Sequence, residues 1–222
     1  MGNISFLHTL NLYNNSLGKG IPSSIGKLVR LQILILDENA LTGIIPHEIG
    51  LLSSLQVLNF RSNMLVGEIP PSLGNLSYLT FFSLGMNFLS GTVPSSIYNL
   101  SSITYFSLLM NKLSGTLPHG LGQTIFPNLE VLLIHTNQFT GAIPVTLSNA
   151  SRLQRVDISL NHFSGKVPVL SMPNLTKLQL DDNKLGYQAK EDMNFSFFII
   201  SCIKLEVLSI GDNNFGKNCL KV

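Results

Sequence analysis

The sequence predicts an α/β solenoid: a right-handed, curved superhelix of stacked copies of one short unit with a parallel concave β-sheet. Three observations lead to this fold class. A leucine pattern occurs nine times, mostly 24 residues apart, and one asparagine keeps the same place in all nine copies. A Gly-x-Ile-Pro segment, or a close variant, follows that asparagine in most copies. Each copy can bury its apolar face only against its neighbours, so the copies are expected to stack.

The repeat is clearest at residues 31–54, LQILILDENALTGIIPHEIGLLSS, which follow the pattern LxxLxLxxNxLxGxIPxxIGxLxx. A period in the twenties with this pattern indicates leucine-rich repeats. The 24-residue unit, with LxGxIPxxIGxL after its asparagine, resembles the plant type of this repeat. One domain, residues 1–222, is predicted, and both of its ends are expected to be uncapped. The nine repeats begin at Leu7, Leu31, Leu55, Leu79, Ile103, Leu129, Leu153, Leu175 and Leu205.

Each repeat is expected to contribute one strand. Leu34 and Leu36 are two residues apart, so both side chains point into the core of an extended chain, and residues 33, 35 and 37 point outward. On the flank, a proline that fixes φ marks a turn. The glycine four residues after each asparagine is expected to hold a position where a β-carbon would be crowded.

The conserved place of one asparagine predicts a structural ladder. A buried amide side chain can bond the unpaired backbone groups of the turns around it, so these residues are interpreted as structural rather than ligand-binding. The ladder comprises Asn15, Asn39, Asn63, Asn87, Asn111, Asn137, Asn161, Asn183 and Asn213.

Composition excludes several classes of protein. A formal charge of +2 with 12% charged residues predicts no nucleic-acid surface. The longest near-unbroken apolar run, Phe195–Ile203, is too short to span a bilayer, and the first residues lack the pattern of a signal peptide. The spacing of Cys202 and Cys219 fits neither a metal site nor a redox motif. A disulfide between them is one possibility, but a buried free thiol at Cys202 is the preferred interpretation.

The pattern N-x-Ser/Thr favours a glycosylated extracellular protein. The alternative is that N-L-S is simply part of the repeat in an unglycosylated chain. Asn75 and Asn99 share one place in the repeat, and Asn149 and Asn174 lie close to it. The acceptor asparagines are Asn3, Asn14, Asn75, Asn99, Asn149, Asn174 and Asn194.

No catalytic pattern is predicted. The sequence has five histidines, and none shares a repeat position with a carboxylate and a serine as a triad would require. Nucleotide-binding glycine motifs are absent from the sequence. The chain is therefore predicted to be no enzyme, with no cofactor and no metal site.

The outward strand positions predict a binding surface instead. Apolar residues on adjacent strands of repeats four to six form one patch, and exposed apolar patches usually mark interaction sites. The alternative is a face that is covered by sugars or another chain, or one that has lost its binding role. The predicted ligand site comprises Phe81, Met86, Tyr105, Leu109, Met110, Val131 and Leu133.

The segment LxGxIPxxIGxL after the asparagine resembles the ectodomains of plant leucine-rich-repeat receptor kinases. Residues 3–32 and the long eighth repeat, residues 180–216, are similar to the receptor kinases that sense microbial patterns in plant immunity. The resemblance covers all but Lys217–Val222. It implies a signal peptide, a cap with paired cysteines, a membrane span, a cytoplasmic serine/threonine kinase and a location at the extracellular face of the plasma membrane, although this chain contains none of those segments.

The sequence thus predicts a segment of a receptor-like kinase that recognises a peptide or protein outside the cell and allows a co-receptor kinase to dock. Two alternatives stay open. One is a kinase-less receptor-like protein or a secreted binder similar to polygalacturonase inhibitors; the other is a non-functional truncated product. The transcript on either side of this reading frame distinguishes them.

Overall fold

The computed structural model describes residues 6–187 and 201–216. The chain forms two compact units, Met1–Leu113 and Ser114–Val222. Both units consist of short strands, tight turns and, on the flank, short 3-10 helices.

The first unit alternates strands with 3-10 helices, here labelled η. Its elements are, in chain order, β1 (Thr9–Asn11), η1 (Ser23–Lys27), β2 (Ile33–Ile35), β3 (Thr42–Gly43), η2 (His47–Leu51), β4 (Val57–Asn59), β5 (Met64–Gly67), η3 (Pro71–Asn75), β6 (Phe81–Ser83), β7 (Phe88–Thr92), η4 (Ser95–Asn99) and β8 (Tyr105–Ser107).

The strands β1, β2, β4, β6 and β8 pair in parallel, each in register with the strand of the next repeat. Thr9 pairs with Ile33, for example, and Phe81 pairs with Tyr105. Leu34 and Leu58 are fully buried between the strands and the flank. The predicted parallel strands with inward leucines are confirmed, and so is the predicted class, an α/β solenoid of stacked repeats.

A second set of strands, which the sequence analysis did not predict, follows the asparagines. In the first unit β3 pairs with β5 and β5 with β7, again in parallel. These strands are two to five residues long and contain the glycine that was expected to avoid crowding.

The structure gives two different reasons for the glycines. Gly43, four residues after the asparagine, has φ +75°, and a β-carbon there would meet nothing within 4 Å, so its backbone conformation rather than crowding requires glycine. Gly50 in η2 is the crowded position, because a β-carbon would lie 2.3 Å from the Ser72 carbonyl oxygen of the next repeat. The expectation of crowding, which concerned the glycine four residues after the asparagine, therefore fails at Gly43, and the crowding at Gly50 was not predicted.

Each 3-10 helix directly follows a proline of the flank, where the sequence analysis predicted a turn rather than a helix. Pro46 has extended backbone angles, and its carbonyl accepts a hydrogen bond from the Ile49 amide at 3.2 Å. Every helix within residues 6–187 and 201–216 is of the 3-10 type and five residues long. The helix predicted over Asn194–Cys202 lies largely outside the described residues.

The second unit repeats the same plan. Its elements are β9 (Lys112–Thr116), which begins at the end of the first unit, β10 (Val131–Leu133), β11 (Gln138–Gly141), η5 (Val145–Asn149), β12 (Arg155–Asp157), β13 (His162–Gly165), β14 (Lys177–Gln179), β15 (Lys184–Leu185) and β16 (Val207–Ser209). One parallel sheet has the order β10-β12-β14-β16 and the other β9-β11-β13-β15. Among the described residues, no helix has the length and hydropathy of a membrane span.

Candidate functional site

The outward face of the first unit carries five of the predicted ligand-site residues. This face is formed by the side chains at the third, fifth, seventh and eighth positions of each repeat. Met110 is 43% exposed, and the other four residues are half-buried. The predicted residues of the first unit are Phe81, Met86, Tyr105, Leu109 and Met110.

An aromatic pair is the centre of this face. The rings of Phe81 and Tyr105 stack with centroids 4.2 Å apart and an interplanar angle of 8°. The stacking follows from the parallel register, which places these two residues side by side on β6 and β8. Neighbouring parallel strands are about 4.8 Å apart, so two aromatic side chains in register are held close to stacking distance.

Small residues form the floor beside the aromatic pair. Ser83 and Ser107 are also in register, and both are buried. Leu109 lies over Gly85, where a β-carbon would come within 2.9 Å of the leucine Cγ. The apolar side chains therefore cover one another, which explains why most of them are half-buried.

Two predicted ligand-site residues belong to the second unit. Val131 on β10 is half-buried, but Leu133 is only 7% exposed. The expectation that Leu133 contributes exposed apolar surface is therefore wrong. Strands only about 4.8 Å apart allow large outward side chains to bury their smaller neighbours, and sequence position alone does not show which residue is covered.

The asparagine side chains bond backbone groups in two repeats. The Asn63 amide nitrogen donates to the Leu36 carbonyl of the preceding repeat at 3.0 Å and to the Phe60 carbonyl of its own repeat at 3.1 Å. Its side-chain oxygen accepts a hydrogen bond from the Leu41 amide at 3.0 Å. Asn15 contacts only the carbonyls of its own repeat. The same three bonds recur at Asn39, Asn87, Asn111, Asn161, Asn183 and Asn213.

An acidic cluster, which sequence analysis missed, lies on the outward face of repeats one to three. It comprises Asp37, Glu38, Tyr13 and Arg61. Asp37 is 9% exposed, and its Oδ1 atom is buried without a hydrogen-bond partner. Burial raises the pKa of the Asp37 carboxyl above its ordinary value, although hydrogen bonds from its own backbone and from Asn59 act in the opposite direction.

The other members of the acidic cluster lie nearer the surface. Arg61 Nη1 is 3.7 Å from Glu38 Oε1. The Glu38 carboxylate raises the pKa of the Tyr13 phenol, first through a hydrogen bond and then through its charge. The signal that could have revealed this cluster is the seventh-position column, where Tyr13, Asp37 and Arg61 are consecutive.

A histidine, an aspartate and a serine do meet in the second unit, where the sequence analysis predicted no triad. His135 Nε2 lies 4.0 Å from Asp157 Oδ2, and the Ser159 hydroxyl donates to Asp157 Oδ1 at 2.6 Å. A catalytic triad requires the serine to donate to the histidine, which acts as the base. Here the serine donates to the carboxylate instead, so the three residues lack that chemistry.

Three of the acceptor asparagines share one place in the fold. Asn75, Asn99 and Asn149 are the last residues of η3, η4 and η5, and all three are exposed. Asn149 thus occupies the same position as the first two. Asn14 is exposed, whereas Asn3 and Asn194 lie outside the described residues.

Asn174 differs from those three. It is half-buried, its amide nitrogen donates to the Ser151 carbonyl at 2.9 Å, and its oxygen accepts from Lys204 Nζ at 2.8 Å. A sugar on this nitrogen would compete with an existing contact.

Cys202 carries a buried free thiol near the Leu170 carbonyl, with a sulfur–oxygen distance of 3.7 Å. Cys219 lies outside the described residues. Within the described part of the chain, no group of three or more His, Cys, Asp or Glu side chains is placed to hold a metal ion.

Comparison with known proteins agrees with this architecture. A family model described as Leucine Rich Repeat matches residues 6–28, 30–52 and 54–76. Receptor-like protein kinase HAIKU2 from Arabidopsis thaliana is 31% identical over 95 residues, which are 40% of this chain and 9% of that relative.

Two solved structures are similar over nearly the whole chain. The Arabidopsis receptor kinase HAESA ectodomain, in complex with an N-terminally extended IDA peptide hormone ligand, has a TM-score of 0.86 and 31% identity, covering 95% of this chain and 34% of that one. HAESA with IDA and the co-receptor SERK1 has a TM-score of 0.73 and 29% identity, covering 96% of this chain and 38% of that one. This chain therefore spans less than two thirds of the length of HAIKU2 and of the two HAESA ectodomain structures.

Proposed function

We propose that this leucine-rich-repeat chain, which resembles plant receptor-kinase ectodomains, is an extracellular ligand-recognition segment of a receptor-like kinase. It binds a peptide or protein through the outward face of its strands. The observation that carries this proposal is the stacked Phe81–Tyr105 pair, flanked by Leu109 and Met110. Aromatic and methionine side chains are enriched at the centres of protein interfaces.

The known structures support a peptide as the ligand class. The similar HAESA ectodomain was solved with a peptide hormone and, separately, with that hormone and a co-receptor. We extend this arrangement to the present chain, so that a bound peptide creates the surface on which a co-receptor kinase docks.

The experiment uses a displayed library of random 12-residue peptides, selected against the purified chain. Selected peptides are synthesised and their affinities are measured by calorimetry. Tyr105→Ala is expected to weaken binding about 30-fold, the effect of losing one interface hot spot. Tyr78→Ala is the matched control, because Tyr78 is 66% exposed but lies in the turn before β6. Equal affinities for both variants would overturn this placement of the ligand.

The full-length protein is proposed to contain further segments beyond the repeats. A membrane span, a cytoplasmic serine/threonine kinase and a role in defence signalling are proposed from the resemblance of the repeats to receptor kinases of plant immunity. Sequencing the transcript on both sides of this reading frame tests them. A kinase read through downstream supports the receptor, and a stop codon directly after Val222 favours one of the alternatives without a kinase.

Sugars on the flank are the last element of the proposal. Asn75, Asn99 and Asn149 present exposed side chains at equivalent helix ends, which is consistent with glycosylation outside the cell. These positions are on the 3-10 helices, so attached sugars leave the strand residues of the outward face accessible.

A further inference from the structure

Two buried side-chain atoms have no hydrogen-bond partner in the part of the chain that the structure describes. They are Asp37 Oδ1 and Ser107 Oγ. Both residues lie on the outward face of the first unit, in repeats two and five. Buried polar atoms are nearly always hydrogen-bonded, so two such atoms without a partner on one face indicate where a ligand could supply a hydrogen bond.

The ligand group that would pair with Asp37 Oδ1 is expected to be a cation. A buried carboxylate oxygen without a partner is costly, and a positively charged donor satisfies it best. The acidic cluster holds two carboxylates, Asp37 and Glu38, but only one cation, Arg61. The Arg61 guanidinium contacts Glu38, so the Oδ1 atom of Asp37 stays unpaired.

The existing ion pair offers little resistance to a ligand. Arg61 Nη1 and Glu38 Oε1 are 3.7 Å apart, and both side chains are 40% exposed. Exposed ion pairs of this kind contribute less than about 1 kcal/mol. Displacing Arg61 from Glu38 therefore costs little, which leaves the Glu38 carboxylate, next to Asp37 in the chain, available to a second cation.

The distance from the acidic cluster to the aromatic pair fits a short peptide. Asp37 is two repeats from Phe81 and three from Tyr105. Strands about 4.8 Å apart give about 10 to 14 Å across the sheet, and Asp37 also lies four residues farther along its repeat than the residue in register with Phe81, which adds about 13 Å along the strand. The total separation is about 16 to 20 Å, and an extended peptide rises about 3.3 Å per residue, so five to six residues of peptide connect the two places.

We infer that the ligand of this face is a peptide whose basic group binds Asp37 and Glu38, and whose aromatic or aliphatic residue, five to six positions away, packs on Phe81 and Tyr105. This inference rests on the proposed function and adds the class of ligand. The basic group is an arginine or lysine side chain, or the free amino terminus of the peptide.

The test uses the random 12-residue library selected against the wild-type chain and, in parallel, against Asp37→Asn. Peptides selected by the wild type are expected to carry Arg or Lys, or a free amino terminus, five to six positions from an apolar residue. One such peptide should lose at least 10-fold in affinity on Asp37→Asn. Replacing the basic residue of this peptide by Gln, or acetylating its amino terminus, should cause the same loss of affinity for the wild type. The modified peptide should bind Asp37→Asn no more weakly than the unmodified peptide does, because the two changes remove the same contact.

Controls separate this inference from the proposed function. Asp182→Asn removes an exposed carboxylate from the second unit and should leave the affinity unchanged. Peptides that lose affinity on Tyr105→Ala but not on Asp37→Asn overturn the basic subsite and leave the proposed function intact. A library that yields no binding peptide overturns both. Asp37→Asn preserves the size of the side chain, and Asp37→Glu, which keeps the charge, should retain at least part of the affinity.

Discussion

Single residues before the ladder asparagines adopt a backbone conformation that L-amino acids seldom use. Within the described residues, nine such positions have φ between +46° and +59°, although none is glycine. Met86, Met110 and Leu160 are among them. Left-handed backbone costs about 1 to 2 kcal/mol for residues other than glycine, asparagine and aspartate. The repeat therefore imposes a local cost that its hydrogen bonds must exceed.

Leu160→Asn is expected to stabilise the chain. Leu160 has φ +53° and is 49% exposed, and asparagine adopts left-handed angles with less strain. The free energy of unfolding should rise by about 1 kcal/mol, measured by urea denaturation. Leu51→Asn is the control, because Leu51 is 59% exposed within η2 and should show no gain. Equal effects of both substitutions would contradict strain at Leu160.

Asp37→Asn is expected to change the pH dependence of stability. Burial raises the pKa of Asp37 above 3.8, so the folded state holds the proton more tightly than the unfolded state. The stabilisation from this group is complete below 3.8 and is lost as pH rises through the higher pKa of the folded state. At pH 7, the free energy of unfolding of Asp37→Asn should be about 1 kcal/mol higher than that of the wild type, so the variant is the more stable protein.

The difference between Asp37→Asn and the wild type should shrink as the pH falls toward 3.8. Urea denaturation at a series of pH values measures it. Asp182→Asn, which removes an exposed carboxylate, provides the comparison. A wild type more stable than Asp37→Asn at neutral pH would show that the carboxylate is satisfied.

Besides the backbone pairing of the strands, the ladder joins neighbouring repeats through buried side chains, so a ladder asparagine should contribute more to stability than an exposed one. Asn87→Ala removes the donor to the Phe60 and Leu84 carbonyls and the acceptor of the Leu65 amide, all within about 3.1 Å. Each buried group left unpaired costs about 1 to 3 kcal/mol, so a loss of at least about 3 kcal/mol is expected. Asn15→Ala is the control and should cost less than about 1 kcal/mol, because Asn15 is exposed. Far-UV circular dichroism during urea denaturation compares them.

The stacked 3-10 helices set a second constraint. In Gly50→Ala the new β-carbon would lie 2.3 Å from the Ser72 carbonyl oxygen, so backbone must shift, and a loss of about 2 kcal/mol or more is expected. Gly18→Ala has nothing within 4 Å of its new β-carbon and should be nearly neutral. Thermal unfolding of the two variants provides the measurement, and similar melting temperatures would argue against close stacking of η2 on η3.

Features that follow from the spacing of residues in the repeat could be predicted from the sequence. Features that depend on contacts between side chains of adjacent repeats could not. Leucine spacing identified the parallel strands, and proline identified the flank turns. The 3-10 form of the flank helices and the strands beginning at Thr42 and Met64 were missed, because their residues follow no alternation of polar and apolar types. Leu133 was wrongly predicted to be exposed, because burial by neighbouring side chains depends on three-dimensional packing. The acidic cluster was missed because the burial of the Asp37 carboxylate depends on packing and cannot be inferred from the place of Asp37 in the repeat.

For the molecule as a whole, secretion is expected to lead to glycosylation at exposed asparagines. Expressed through a plant secretory pathway, the chain is expected to carry sugar at Asn75, Asn99 and Asn149, whose side chains are exposed at helix ends. Occupancy at Asn174 should be low, because its amide already bonds Ser151 and Lys204. Mass spectrometry of glycopeptides measures each site. Full occupancy at Asn174 together with bare Asn75 would contradict this assignment.

The ladder also bears on how such a chain grows and shrinks over evolution. The side-chain oxygens of the later ladder asparagines each accept a hydrogen bond from a backbone amide of the preceding repeat. That amide lies 22 residues earlier for Asn161, 20 for Asn183 and 28 for Asn213, yet the same hydrogen bond forms. Differences in repeat length therefore leave the hydrogen bond between neighbouring repeats unaltered. Gene duplication that adds one whole repeat reproduces every such hydrogen bond, so selection can lengthen the ligand-facing surface one repeat at a time without redesigning the interior.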